Sequence, residues 1–141
     1  MGFKQTDLTP PFLGAYTPTS KTEKVQAFQI FRTDTAVGGV LKAVLPAGAS
    51  ITDVIVTNPT ASNAGTSATI NVGIPGSVNA IVNAQSVLAA AGQLVRPAFG
   101  RAALVEPNPP VPDQNIVANY AETGTASTAG GPWTVLIKYV D

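Results

Sequence analysis

The stretch that decides the fold is residues 51–73, which reads ITDVIVT-NPTASNAGTS-ATINVG. Its first part, residues 51–57, is rich in β-branched residues, which favour strands. Its middle part is rich in Asn, Pro and Gly, which favour turns. In residues 68–73 apolar and polar residues alternate, so that Ile70 faces one side of a strand and Asn71 the other. We therefore expect residues 51–57 and 68–73 to form a β-hairpin with one face in water.

Short runs with the same period of two lie on both sides of this stretch, separated by turn-forming residues. In the last run Trp133, Val135, Ile137 and Tyr139 share one face, which we expect to lie in the core, whereas Lys138 points to water. These further predicted strands are residues 25–32, 40–45, 115–120 and 133–140.

Two segments depart from the strand pattern. Residues 78–95 contain VLAAA followed by Gly92, which would allow at most one or two turns of helix. Residues 106–113 read EPNPPVPD and predict a surface loop, because proline cannot donate to a central strand. The chain has no helical crossovers of the length that a parallel sheet requires. We therefore predict an all-β fold, an antiparallel β-sandwich or jelly roll with an extended N-terminal arm and at most one short helix.

The predicted arm covers residues 1–24 and precedes a β-sandwich domain at residues 25–141. Thr9-Pro10-Pro11 and Thr17-Pro18-Thr19 prevent a helix there and favour extended backbone. The arm has more apolar side chains than a solvent-exposed linker needs. We therefore expect it to lie along its own domain or a neighbour and to bind a partner. Its candidate partner-binding residues are Phe3, Leu8, Phe12, Leu13 and Tyr16.

The composition limits the functions that are open to this chain of 141 residues. Charged residues make up only 11%, where a typical soluble domain has roughly a quarter. A surface with so little charge indicates a protein covered by partners, although a monomer solvated by hydroxyl and amide groups is the alternative. The formal net charge is zero and the Lys and Arg residues are scattered. We therefore expect no nucleic-acid partner.

The chain has no Cys and no His. It therefore lacks a thiolate nucleophile, the commonest general base and the commonest zinc ligand. The eight Asp and Glu residues fall singly along the sequence, without the paired spacing of a glycosidase site. We expect no enzymatic activity, no metal and no cofactor. No apolar run approaches the length of a membrane span or the core of a signal peptide, so we expect neither a membrane partner nor export.

Several turn-and-strand patterns, taken together, carry a family resemblance. An Ala-Gly turn leads into a Val/Ile strand at residues 46–56, and a Gly-Thr turn leads into a Thr-Ile-x-Val-Gly strand at residues 63–73. Ala91-Gly92 follows. Residues 127–139 contain a Thr-Ala-Gly turn and then a last strand that ends in Lys138-Tyr139. From residue 40 to residue 141 the chain thus resembles small virion proteins of tailed bacteriophages.

The resemblance implies a capsid decoration, or cement, protein. Such a protein, made in the host cytoplasm, would sit on the outer capsid surface, bind the major capsid protein and clamp neighbouring subunits, commonly as a homotrimer. Two alternatives remain open. One is a head-fibre, tail or adsorption protein that binds a cell-surface glycan or receptor, and the other is a free carbohydrate-binding module. Both would favour an exposed aromatic platform, for which Trp133 is the single Trp of the chain.

Overall fold

The computed structural model describes residues 22–88 and 113–141, together with the backbone of residues 93–95. All regular structure in these residues is β, which confirms the predicted all-β antiparallel fold. In chain order the strands are β1 (Lys24–Ile30), β2 (Val40–Leu45), β3 (Ser50–Asn58), β4 (Ser67–Ile74), β5 (Ser77–Ser86), β6 (Gln93–Val95), β7 (Gln114–Thr123) and β8 (Trp133–Val140).

The strands form two four-stranded antiparallel sheets. The first has the order β1-β8-β3-β6 and the second the order β2-β7-β4-β5. Four of the pairings are nested along the chain: β4 with β5, β3 with β6, β2 with β7 and β1 with β8. The pairings of β3 with β8 and β4 with β7 join these ribbons into sheets.

The core lies between the two sheets and is made by alternate residues of each strand. On β8, Trp133, Val135, Ile137 and Tyr139 are buried, as their spacing predicts. On β4 the buried residues include Ile70, while Asn71 lies on the outer face. Each aliphatic side chain that is fully buried in this way contributes about 1.5–3 kcal/mol relative to an exposed one. The period of two therefore positions the core correctly in both sheets.

The predicted hairpin between residues 51–57 and 68–73 is wrong. Both runs are strands, but β3 pairs with β8 and β6, and β4 pairs with β7 and β5 in the opposite sheet. The connection at residues 59–66 is too long for a tight two-residue hairpin turn. It crosses from one sheet to the other and is held there by backbone hydrogen bonds, including Ser62 N to Val87 O at 2.9 Å and Gly65 N to Thr125 O at 2.8 Å.

Several predictions fall wholly or partly outside the described residues. Residues 1–21 of the predicted arm do so, with all five of its candidate binding residues, as do residues 106–112 of the proline-rich loop. Of the ambiguous segment 78–95, residues 78–86 belong to β5 and residues 93–95 form β6, whereas residues 89–92 lie outside. No helix occurs among the described residues, and so none that could span a membrane.

Candidate partner-binding surfaces

Exposed apolar side chains concentrate where β1 and β2 lie side by side at the same edge of the sandwich. Val25 of β1 is 52% exposed, and Leu41 and Val44 of β2 are 58% and 41% exposed. The loop between the two strands adds Phe31 and Val37, of which Val37 is 89% exposed. We call these five residues, with β1 and β2, the β1–β2 side. It holds five of the six large apolar side chains that are exposed among the described residues.

The β1–β2 side also has unpaired strand edges. Among the described residues, β1 pairs with β8 alone and β2 with β7 alone, so each strand has one row of backbone groups without a strand partner. The Gln26 side chain spans the gap between them and donates to the Val44 carbonyl at 3.4 Å. Edges of this kind can accept an added strand.

The two other sheet edges are less open to pairing. The pairing of β5 with β4 shifts register twice, and Ala84 of β5 has a φ of 50°. Asn71 of β4 accepts a hydrogen bond from the Ala84 N–H at 2.8 Å, which fixes this irregular backbone. β6 is only three residues long. Irregular and short edge strands resist pairing with other chains, whereas β1 pairs with β8 in continuous register over all its residues.

An ion pair holds the loop that joins β1 to β2. Lys42 lies 2.6 Å from Asp34, with both side chains largely buried, and its ammonium group lies 5.1 Å from the centre of the Phe31 ring. The Asp34 carboxylate also accepts the Phe31 N–H at 2.8 Å. The two exposed apolar residues of this loop are therefore carried on a fixed backbone.

Side chains are closely packed at one end of the sandwich, where the loops 59–66 and 124–132 meet. We call these two loops, with the side chains they cover, the loop end. Trp133 is fully buried there, and its ring stacks on that of Tyr120 with centroids 5.1 Å apart. The Trp133 indole N–H donates to Asn58 at 2.8 Å. The burial of Trp133 confirms the core position predicted for it and removes it as a platform for a sugar.

The Tyr120 hydroxyl group joins three segments of the loop end. It donates to a Glu122 carboxylate oxygen at 2.6 Å and lies 2.7 Å from the Ser62 hydroxyl. Because a tyrosine has one hydroxyl hydrogen, Ser62 is the donor in the second contact. Glu122 also accepts the Ser127 N–H at 3.1 Å, and Arg32 donates to the Ser127 carbonyl at 2.9 Å.

These contacts change the ionisation of Glu122. Hydrogen bonds from the Ser127 side chain, the Tyr120 hydroxyl and the Ser127 N–H hold the pKa of Glu122 below its ordinary value of 4.5, and Arg32 adds a smaller electrostatic contribution. The carboxylate is thus stabilised in its charged form at neutral pH. A lowered pKa is the opposite of what a general acid needs, and it agrees with a structural role for Glu122 in tying the loops together.

The two loops of the loop end approach each other too closely for side chains at three glycines, Gly65, Gly124 and Gly130. A Cβ at Gly124 would lie 2.5 Å from the Thr66 hydroxyl and 2.7 Å from its backbone nitrogen, and the φ of Gly124 is +86°. A Cβ at Gly65 would lie 2.5 Å from the Thr125 backbone nitrogen. Asn63 completes the contact by accepting the N–H groups of Thr128 and Ala129 at 2.8 and 3.0 Å.

The described residues contain no group of three or more carboxylates that could hold a metal ion. Their carboxylates lie apart, and several are engaged with partners: Asp34 with Lys42, Asp141 with Lys24, and Glu23 with Thr52.

The exposed residues of the β1–β2 side were absent from the sequence-based candidates, although the sequence carries a signal for them. Neighbouring residues of a strand point to opposite faces. The pairs Val40-Leu41 and Val44-Leu45 each place one apolar side chain on each face of β2, so a strand at the edge of its sheet exposes part of them. The five candidate residues of the arm, by contrast, lie outside the described residues.

No family model matches the chain, and no curated protein matches it. Among solved structures, a chain of the capsid asymmetric unit of cyanophage Pam1 has the same fold, with a TM-score of 0.64 and 22% identity over 86% of this chain and 86% of its own length. A chain of the capsid of Ralstonia phage GP4 aligns with a TM-score of 0.58 and 18% identity over 85% of this chain and 84% of its own. These similarities establish a shared fold.

Proposed function

We propose that this chain is a structural virion protein of a tailed bacteriophage, without catalytic activity, that binds the outside of the capsid and stabilises contacts between neighbouring capsid subunits. The observation that carries the proposal is the shared fold with a chain of the Pam1 capsid. Because the aligned share is 86% of both chains, the two chains are similar in length. The likeness therefore concerns an entire small component of that capsid rather than one domain of a larger subunit.

The β1–β2 side supports a role in assembly. An exposed apolar surface with unpaired strand edges promotes aggregation of a free monomer, but it suits a protein whose surface is covered by partners in the assembly. The low content of charged residues, 11% of the chain, fits the same role. Many copies bound to one lattice need only weak individual contacts, because the lattice raises their effective concentration.

We also infer that the topology is that of a jelly roll. The four nested pairings, from β4–β5 outward to β1–β8, are those of one long hairpin of paired strands. The additional pairings β3–β8 and β4–β7 roll this hairpin into two four-stranded sheets. An eight-stranded double sheet of this kind is an architecture of viral capsid domains.

The proposal includes the arm and its partners. Residues 1–24 form the arm and residues 25–141 the domain, and Phe3, Leu8, Phe12, Leu13 and Tyr16 anchor the arm to a neighbour. The partners are the major capsid protein and further copies of this chain, arranged as a homotrimer on the outer capsid surface. The buried Trp133 argues against the alternative of a glycan-binding adsorption protein, since an exposed aromatic face is what that reading required.

The proposal is tested with purified shells of a tailed phage from which this component is missing. We expect the full-length protein to sediment with the shells up to a fixed number of copies and to raise the temperature at which they rupture. The full-length protein incubated with shells that already carry the component serves as the control and should remain in the supernatant. Failure to bind vacant shells, together with a monomeric mass in solution, would overturn the proposal.

The role of the arm is tested by removing residues 1–22. We expect the shortened protein to lose most of its binding to vacant shells, with an unchanged far-UV circular dichroism spectrum in the β region. Undiminished binding would exclude the arm from the mechanism and leave the domain as the binding unit.

A further inference from the structure

The exposed apolar side chains are distributed unevenly over the described surface. Six large apolar side chains are exposed among the described residues, and five of them belong to the β1–β2 side, with Leu88 as the exception. The same side has the free edge of β1, which pairs with β8 in continuous register, and that of β2, whose pairing with β7 shifts register once. β5 is longer, but its pairing with β4 shifts register twice, and β6 has only three residues. Exposed apolar side chains and unpaired backbone groups therefore occur on the same two strands and the loop between them, as a bound extended segment requires.

The chain itself supplies a segment of matching chemistry. Residues 1–21 contain Phe3, Leu8, Phe12, Leu13 and Tyr16 but only three charged residues, Lys4, Asp7 and Lys21. Within this segment, residues 12–17 read FLGAYT and contain neither proline nor charge. Proline on either side limits an added strand to about this length, because it cannot donate to a ladder.

We propose that the β1–β2 side of one molecule receives residues 1–21 of a second copy, with residues 12–17 adding a strand to its free edge. The inference deepens the proposed function and rests on it in one respect, namely that the arm is a binding element. It names the surface that the arm binds and identifies the partner as another copy of this chain.

The contacts at the start of β1 favour a second copy over the same molecule. The Glu23 carboxylate accepts a hydrogen bond from Thr52 of β3 at 2.7 Å, and Lys24 pairs with Asp141 at 2.8 Å. Both contacts hold the chain on the side of β8 and β3, away from β2. A segment that leaves there would have to reverse at once to reach its own β1–β2 side.

The segment is also long enough to reach a neighbour. Fully extended, residues 1–21 span about 70 Å, whereas a domain of this size has a radius of gyration of roughly 14 Å. Exchange of arms between copies is a low-cost route to a closed oligomer.

The test uses the full-length chain with a photoreactive phenylalanine in place of Phe12, mixed with an equal amount of ¹⁵N-labelled unmodified protein. After irradiation, mass spectrometry should find the probe linked to peptides of β1 or β2 that carry ¹⁵N. Links confined to the unlabelled, probe-bearing chain itself in a diluted mixture, or links to other strands, would overturn the proposal.

Matched variants test the receiving surface. Leu41→Lys and Val44→Lys place a charge where the segment is proposed to lie, and each should raise the dissociation constant of the oligomer by about tenfold or more. Leu88→Lys changes an exposed leucine elsewhere and should leave it unchanged. Equal mass distributions by analytical ultracentrifugation for all three variants would contradict the proposal, provided that their thermal unfolding matches that of the unaltered protein.

A further variant, Phe12→Ser, distinguishes this inference from the proposed function. If Phe12→Ser abolishes binding to vacant shells but leaves self-association intact, the arm binds the capsid and the exchange between copies is wrong. If the arm links to a second copy but the unaltered full-length protein does not bind vacant shells, the exchange stands and the cement function fails.

Discussion

The loop end and the β1–β2 side differ in how many of their polar groups are hydrogen-bonded, and how many of their apolar side chains are buried, within the chain. At the loop end, the Tyr120 hydroxyl group bonds to both Glu122 and Ser62, and the loops pack closely enough to exclude side chains at Gly65 and Gly124. At the β1–β2 side, apolar side chains face solvent and edge backbone groups have no strand partner among the described residues. One region is thus held by contacts within the chain, whereas the other leaves apolar side chains and edge backbone groups without such contacts among the described residues.

The largest effect is expected from removing the centre of the loop end. Trp133→Ala leaves a cavity under Tyr120 and deprives Asn58 of a donor, and should lower the free energy of unfolding by about 3–5 kcal/mol. Leu88→Ala removes a partly exposed side chain and should change it by less than about 0.5 kcal/mol. Urea denaturation measures both. Similar losses for the two variants would show that the loop end is not specially important for stability.

A pair of glycine variants tests how closely the two loops pack at the loop end. Gly124→Ala and Gly48→Ala both place a Cβ at a positive φ, +86° and +81°, but only Gly124 has atoms near that position. The backbone strain common to both should cost about 1 kcal/mol, and the clash with Thr66 should add about another 1–2 kcal/mol at Gly124. The difference in midpoint of urea unfolding measures the clash, and equal midpoints would contradict it.

Removing one hydroxyl group tests the bonding at Tyr120. Tyr120→Phe leaves Ser62 and Glu122 without a shared partner and should cost about 1–2 kcal/mol of stability. Tyr139→Phe removes the hydroxyl of another buried tyrosine, outside this cluster, and should cost less. If the two variants unfold at the same temperature, the hydrogen bonds of Tyr120 contribute little beyond the packing of its ring.

The pH dependence of stability reports on Glu122. Since its pKa in the folded protein is lowered below 4.5, its contribution is present above pH 4.5 and is lost as the pH falls through the folded-state pKa. Glu122→Gln should therefore be less stable than the unaltered protein at pH 7, and this difference in the free energy of unfolding should narrow as the pH falls below 4.5. Denaturant titrations of both proteins at pH 7 and at a pH well below 4.5 check this. A difference in the free energy of unfolding that does not change with pH would assign the effect of Glu122→Gln to something other than charge.

The smallest effect is expected at the β1–β2 side. Leu41→Asn and Val44→Asn alter exposed side chains at a strand edge and should change the free energy of unfolding of the monomer by less than about 0.5 kcal/mol. A dilute sample, in which the protein is monomeric, gives this value by thermal denaturation. Losses comparable with that of Tyr120→Phe would mean that these residues support the fold rather than a partner.

The strands were predictable because each depends on a local pattern. The bounds of β2 match the prediction, those of β8 also match, and the period of two identifies the buried face of β8, including Trp133. The pairing was not predictable, because the principal partner of β3 is β8, which follows it by some 80 residues. A pattern confined to residues 51–73 has no information about a strand so far along the chain, and the predicted hairpin failed for that reason.

The candidate surfaces were predictable to different degrees. The adjacent apolar pairs of β2 indicate exposure at Leu41 and Val44, once β2 is known to lie at an edge. The cluster at the loop end brings together Ser62, Tyr120 and Ser127 from separate parts of the chain, and their contacts depend on the folded arrangement of the loops. The partner-binding residues of the arm stay a prediction.

The place of β8 has a consequence for how the protein is made. β8 follows the other seven strands in the chain, yet it lies between β1 and β3 in its sheet. A ribosome-bound chain that has not yet released β8 cannot form either of those pairings. The first sheet, and with it the position of β1 at the edge of that sheet, therefore takes shape only after β8 has been synthesised.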